Sequence, residues 1–229
     1  MRIKLMRKFL ASISARSEFV IVVALAFGWF IVVSLITAFH PVAAARHSNA
    51  SLLGLAIYEI FLATLLAAFL HMRGWTFAKM GLVPNLKDTG IGVLLYLAAY
   101  ALWIVVWMLT VRYSPQTAQT ISTTQIVAHG LSPVTAVTVS IINPVFEEVF
   151  VVGYVMTALK GGDGEWRAIN VSVGLRLLYH LYQGPMGVLS IIPIGLLFSF
   201  WFARTGRLWP VIVAHGLMDL IGLLAYSHM

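Results

Sequence analysis

Cysteine is absent from the 229 residues. That excludes disulfides, thiolate metal sites and a cysteine nucleophile. Charge is scarce: 10% of the residues are Asp, Glu, Lys or Arg, against 60% hydrophobic. A soluble domain carries about a quarter charged residues, so a water-soluble chain of this length would lack polar surface. The mean hydropathy of +0.92 agrees. Internal repeats and low-complexity tracts are also missing. The composition is that of an integral membrane protein and excludes a disordered, fibrous or DNA-binding chain. Acidic residues are fewest, 8 against 15 Lys and Arg, for a net charge of +7. In a soluble protein that excess would suggest nucleic acid. Here topology explains it, and no nucleic-acid partner is expected.

A helical span needs about 20 mostly apolar residues. Five clear spans stand out at Phe19–Phe39, Ser51–Leu70, Ile91–Val111, Gly187–Ala203 and Trp209–Ser227. Two more, Pro133–Leu159 and Ala168–Tyr182, carry polar residues. The expected fold is an all-α polytopic bundle of about seven spans. Residues 1–18 form a basic N-terminal segment and 19–229 a single transmembrane domain. Ala43-Ala44-Ala45 could mark a cleaved signal peptide, but the preceding apolar run is too long for a signal h-region, and a retained first helix is preferred. With the N-terminus inside, the inner side collects Arg2, Lys4, Arg7, Lys8, Arg16, Arg73, Lys79, Lys87, Lys160, Arg167, Arg204 and Arg207. The outer side has only Arg46 and Arg112. This bias predicts a cytoplasmic N-terminus in a plasma (inner) membrane and an outer C-terminus. Trp75, Trp166 and Trp209 fall at inner-side ends, as an aromatic belt does. The stretch RGWTFAKMGLVPNLKDT reads as an interfacial element, and Tyr113–Ser132, rich in Ser, Thr and Gln, as a solvated loop or a lid.

Ionisable residues inside a span are costly and point to function. This chain has Glu59, Glu147, Glu148, Arg176, His180, His215 and Asp219 in such places. At about 1.5 Å rise per residue, Glu147, Glu148, His180 and Asp219 all lie about 18–19 Å from the nearest inner cation, and His215 about 12 Å. Three separate helices thus deliver carboxylates and imidazoles to one layer. His215 and Asp219, like Arg176 and His180, are four apart and share a helix face. Glu147 and Glu148 point about 100° apart, so one can face a cavity while the other pairs with a cation. Glu59, about 21 Å deep, either pairs with Arg176 or lines the cavity. Two chemistries fit. A carboxylate beside histidines can take a proton from water. Alternatively, His180, His215 and Asp219 supply the three ligands of a catalytic divalent metal such as zinc, with a glutamate as base. The residues leave both open.

Glu147-Glu148, His180 in a later span, and His215-x-x-x-Asp219 in the last resemble the three motifs of the CPBP intramembrane proteases. These are the CAAX proteases and bacteriocin-processing enzymes, which include the Ras-converting CAAX endopeptidases. The stretch RGWTFAKMGL is similar to a segment that many bacterial members carry upstream. The resemblance places the protease core within 133–227. It implies that Glu147 activates water, that Glu148 is the second glutamate of the pair, and that His180, His215 and Asp219 complete the site. The first motif usually ends in Arg where this chain has Val152, and the second often has an aromatic residue where it has Arg176. Arg176 is therefore expected to support the site by pairing with Glu148 or Asp219. The implied function is an intramembrane endopeptidase acting on a membrane-associated protein or peptide, with CAAX-type processing as one form. Rival readings are a catalytically silent immunity or scaffold protein and a proton-coupled transporter.

Overall fold

The computed structural model describes residues 12–40, 48–116, 130–160 and 164–227. Ala43-Ala44-Ala45, the first basic residues and most of the Ser/Thr/Gln-rich loop lie outside them. The described residues form an all-α bundle. α1 is Ala15–Phe39, α2 Asn49–Met72 and α3 Leu86–Tyr113. α4 runs over Pro133–Leu159 and contains a π-helical turn at Val149–Tyr154. α5 is Glu165–His180, followed by a 3₁₀ turn at Leu181–Gln183. α6 is Gly184–Thr205 and α7 Trp209–Ser227.

Five of these helices, α1 to α4 and α6, include stretches long and apolar enough to cross a membrane, and α7 is apolar but shorter at Trp209–Ala225. The chain is therefore an integral membrane protein. α5 has 16 residues, about 24 Å of helix, which falls short of a hydrocarbon core of about 30 Å. Its Ser172, Arg176 and His180 are buried against protein: it packs against α6, α1 and the end of α4. α1 begins four residues before the apolar run predicts, because Ser14 caps it by accepting from the Ser17 amide.

The outer helices turn large apolar side chains outward, among them Trp29, Phe61 and Leu94, each 64% exposed. In a bilayer that surface meets lipid. α4 is different. Two-thirds of its apolar window is buried, against a third or less for the other four, so it is the central helix. α7 packs on both α3 and α4, and α2 on α4.

Polar ties gather where α1, α3, α5 and α7 begin. The Glu18 carboxylate accepts from Arg73 Nε at 2.5 Å, Trp75 Nε1 at 2.8 Å and the Tyr154 hydroxyl at 3.2 Å. Asp88 pairs with Arg207, Arg204 with Glu165, and Trp209 Nε1 donates to Thr89. The interfacial stretch after α2 packs inward at the same end. Leu208 N–H donates to the Gly81 carbonyl, and Gly81, at φ +78°, lies so close to Gly206 that no side chain fits. In the π-helical turn the Val151 carbonyl accepts from Ser172 Oγ at 2.7 Å. Inside a membrane such a released carbonyl needs a protein partner, and α5 supplies it.

Candidate active site

α4 carries the first part of the site. Pro144 has no N–H to give the Ser140 carbonyl, and that carbonyl faces Gly216 of α7. A methyl group on Gly216 would lie 2.8 Å from it. The two helices touch here because one is glycine, the small-residue contact that membrane helices use. One turn further along α4 come Glu147 and Glu148, in the last turn before the π-helical stretch.

The two glutamates part ways. Glu148 is fully buried and both its oxygens are engaged: Oε2 accepts from Arg176 Nη2 at 2.6 Å, and Oε1 faces His215 Nδ1 at 2.6 Å. Glu147 lines a cavity of about 270 Å³. Its Oε2 accepts from the Tyr179 hydroxyl at 2.8 Å and its Oε1 from Asn143 Nδ2 at 3.2 Å. Arg176 Nη1 stands 3.8 Å from Glu147, so one guanidinium serves both carboxylates and favours Glu148. Arg176 takes this place on α5 while Val152, fully buried in the π-helical turn, contributes only packing.

His180, His215 and Asp219 line the same cavity as Glu147. His180 Nδ1 lies 2.9 Å from the Arg176 carbonyl oxygen. A carbonyl only accepts, so Nδ1 carries the hydrogen and the neutral ring has its lone pair on Nε2. His215 stands between two carboxylates, with Nδ1 on Glu148 and Nε2 3.5 Å from Asp219. Glu148 therefore orients a histidine, and Arg176 orients Glu148. Glu59 also lines the cavity, buried to 1% exposure. It does not meet Arg176: its Oε1 accepts from Asn143 Nδ2 at 2.8 Å. Asn143 thus bridges Glu59 and Glu147. Asn143 and Tyr179 are the site residues that motif reading passes over.

The expected metal set of His180, His215 and Asp219 is not what the structure gathers most closely. Among the described residues, the group of three His, Asp or Glu side chains with ligand atoms within 4.8 Å is Glu147, Glu148 and His215. Two features make these a poor cation site. Arg176 already occupies the space between the carboxylates with positive charge. His215 donates from Nδ1 to Glu148, so only its Nε2, which faces Asp219, could offer a lone pair.

α7 and α4 approach closely at Gly216, next in sequence to His215, so this contact bears on the His215–Glu148 distance. Gly216→Ala is expected to push the helices apart. Overpacking costs typically 1–3 kcal/mol, so the unfolding temperature should drop and hydrolytic activity with it. An unchanged unfolding temperature would show that the helices have room to spare.

Residues 129–221 match the family model described as Rce1-like, Type II CAAX prenyl endopeptidase Rce1-like. That segment holds Glu147, Glu148, Arg176, His180, His215 and Asp219, and the match bears out the resemblance to the CPBP and CAAX proteases. No curated protein and no solved structure gives a match.

Proposed function

With an Rce1-like segment at residues 129–221 as its premise, we propose that this membrane protein is an intramembrane endopeptidase of CAAX type that hydrolyses a peptide bond with a glutamate-activated water. The observation carrying this is the shared cavity wall: Glu147, His180, His215 and Asp219 reach it from three helices. Glu147 is the base. Asn143 and Tyr179 hold its two oxygens, and each oxygen keeps a second lone pair for water. The Nε2 lone pair of His180 is the second acceptor that orients this water. As the water oxygen bonds to the scissile carbonyl carbon, its proton passes to Glu147. The carbonyl oxygen becomes an oxyanion, and His215 Nε2, protonated beside Asp219, is the donor that meets it. Glu148 and Arg176 keep His215 turned the right way. No step of this reading needs a metal.

The far wall of the cavity is apolar, built from Leu52, Leu55, Val139 and Leu223. It suits a lipidated or otherwise apolar peptide end. With the basic connectors on the cytoplasmic side, the N-terminus is cytoplasmic and the membrane is the plasma (inner) membrane. The test uses purified protein in nanodiscs with fluorogenic peptides ending in a CAAX sequence, farnesylated or bare. The expected result is cleavage after the cysteine, faster for the farnesylated peptide and unchanged after dialysis against a chelator. No cleavage of either peptide would overturn the reading, and chelator-sensitive cleavage restored by zinc would overturn its metal-free form.

A further inference from the structure

Hydrolysis of an amide needs two proton movements. Glu147 accepts one from water, and the departing amine nitrogen must receive one. Within this protease reading, we propose that Glu59, on α2 and outside the family-matched segment, carries a proton in the resting protein and gives it to the leaving amine. Glu59 lines the cavity and is 1% exposed. Its Oε1 accepts from Asn143 Nδ2 at 2.8 Å, and its Oε2 has no hydrogen-bond partner among the described residues. Buried charges are paired. Glu148 has Arg176 and His215, whereas no cation pairs with Glu59 among the described residues. A protonated Glu59 meets these constraints: its carbonyl oxygen accepts from Asn143, and its hydroxyl, at Oε2, is free to donate to a guest in the cavity. Asn143 bonds both carboxyl groups through one nitrogen, so the acid and the base are held on either side of a single amide.

The step balances. The water oxygen joins the carbonyl carbon and its proton goes to Glu147. The carbon–nitrogen bond breaks as the Glu59 proton joins the nitrogen. The proton on Glu147 then returns through the cavity to Glu59, and the net change is one water consumed and one acid and one amine formed.

The test separates this role from packing by comparing an amide with an ester. An activated ester leaves without needing a proton, so it bypasses Glu59 but still needs Glu147. Glu59→Gln is expected to slow peptide cleavage by about 100-fold or more and to leave hydrolysis of the activated ester near wild type. Glu59→Asp, which keeps the acid on a shorter stem, should recover part of the peptide rate. Infrared spectra of the wild-type protein should show a protonated-carboxyl band that Glu59→Gln removes. Equal losses on amide and ester, or a wild-type peptide rate in Glu59→Gln, overturn the donor role. A band untouched by Glu59→Gln overturns the protonated state, even in a preparation that cleaves nothing. A wild-type protein that cleaves neither substrate overturns the hydrolase reading itself.

Discussion

Glu147→Gln is expected to lower peptide hydrolysis by about 10²–10⁴-fold, the usual contribution of a general base, while the protein still inserts and stays folded. The geometry explains why fold and activity separate here. Glu147 lines the cavity, and its two hydrogen-bond donors, Asn143 and Tyr179, line it too, so cavity water can replace the lost carboxylate. Arg176 keeps Glu148 at 2.6 Å, which leaves no buried cation unpaired. The measurement is a cleavage rate beside a size-exclusion profile and an unfolding curve. A fully active Glu147→Gln protein would remove the base from the mechanism. A protein that no longer folds would make Glu147 structural.

Arg176→Ala is expected to be worse for stability than any change on the cavity wall. Glu148 is fully buried and would lose the cation that neutralises it. Breaking a buried pair from one side costs about 3–5 kcal/mol. Activity should fall as well, because Glu148 holds His215 Nδ1. The informative partner is the double change Arg176→Met with Glu148→Leu. It removes both charges and so should recover much of the stability, yet it should stay inactive, since nothing then orients His215. A single Arg176→Ala as stable as wild type would mean that the pair contributes no net stability.

The fold was largely legible because bilayer thickness sets span length and the hydrophobic runs of α1, α2, α3 and α6 are long. α5 was less plain, since Arg176 and His180 interrupt its apolar pattern. Much of the site was legible too. A rise of 1.5 Å per residue already placed Glu147, Glu148, His180 and Asp219 in one layer, and the 100° between adjacent residues separated the roles of the two glutamates. The missing cation at Val152 led to Arg176 as a partner of Glu148 or Asp219, and in the structure the partner is Glu148. What stayed hidden were contacts between helices. Nothing in the sequence says that Glu59 meets Asn143 rather than Arg176, because lateral order within a bundle is set by packing. Tyr179 was hidden in a different way. An aromatic residue beside His180 reads as core, and only the structure shows its hydroxyl on Glu147. His180, His215 and Asp219, the ligand set expected from the sequence, do line one cavity, but spacing could not show that His215 also turns Nδ1 toward Glu148.

The π-helical turn has a consequence for how α4 tolerates change. An α-helix turns about 100° per residue, so one residue added to a single turn shifts the phase of everything beyond it. The half carrying Asn143, Glu147 and Glu148 is thereby phased to the cavity, while Tyr154 and the residues after it are phased independently to the Glu18 cluster and to α5. Removing one residue between Val149 and Tyr154 would close the wide turn and rotate one half against the other. Exchanging Val149 or Val151 for a side chain of equal volume would not. The number of residues in that stretch is thus a property of the cavity's geometry, whereas their identities belong to the packing around them.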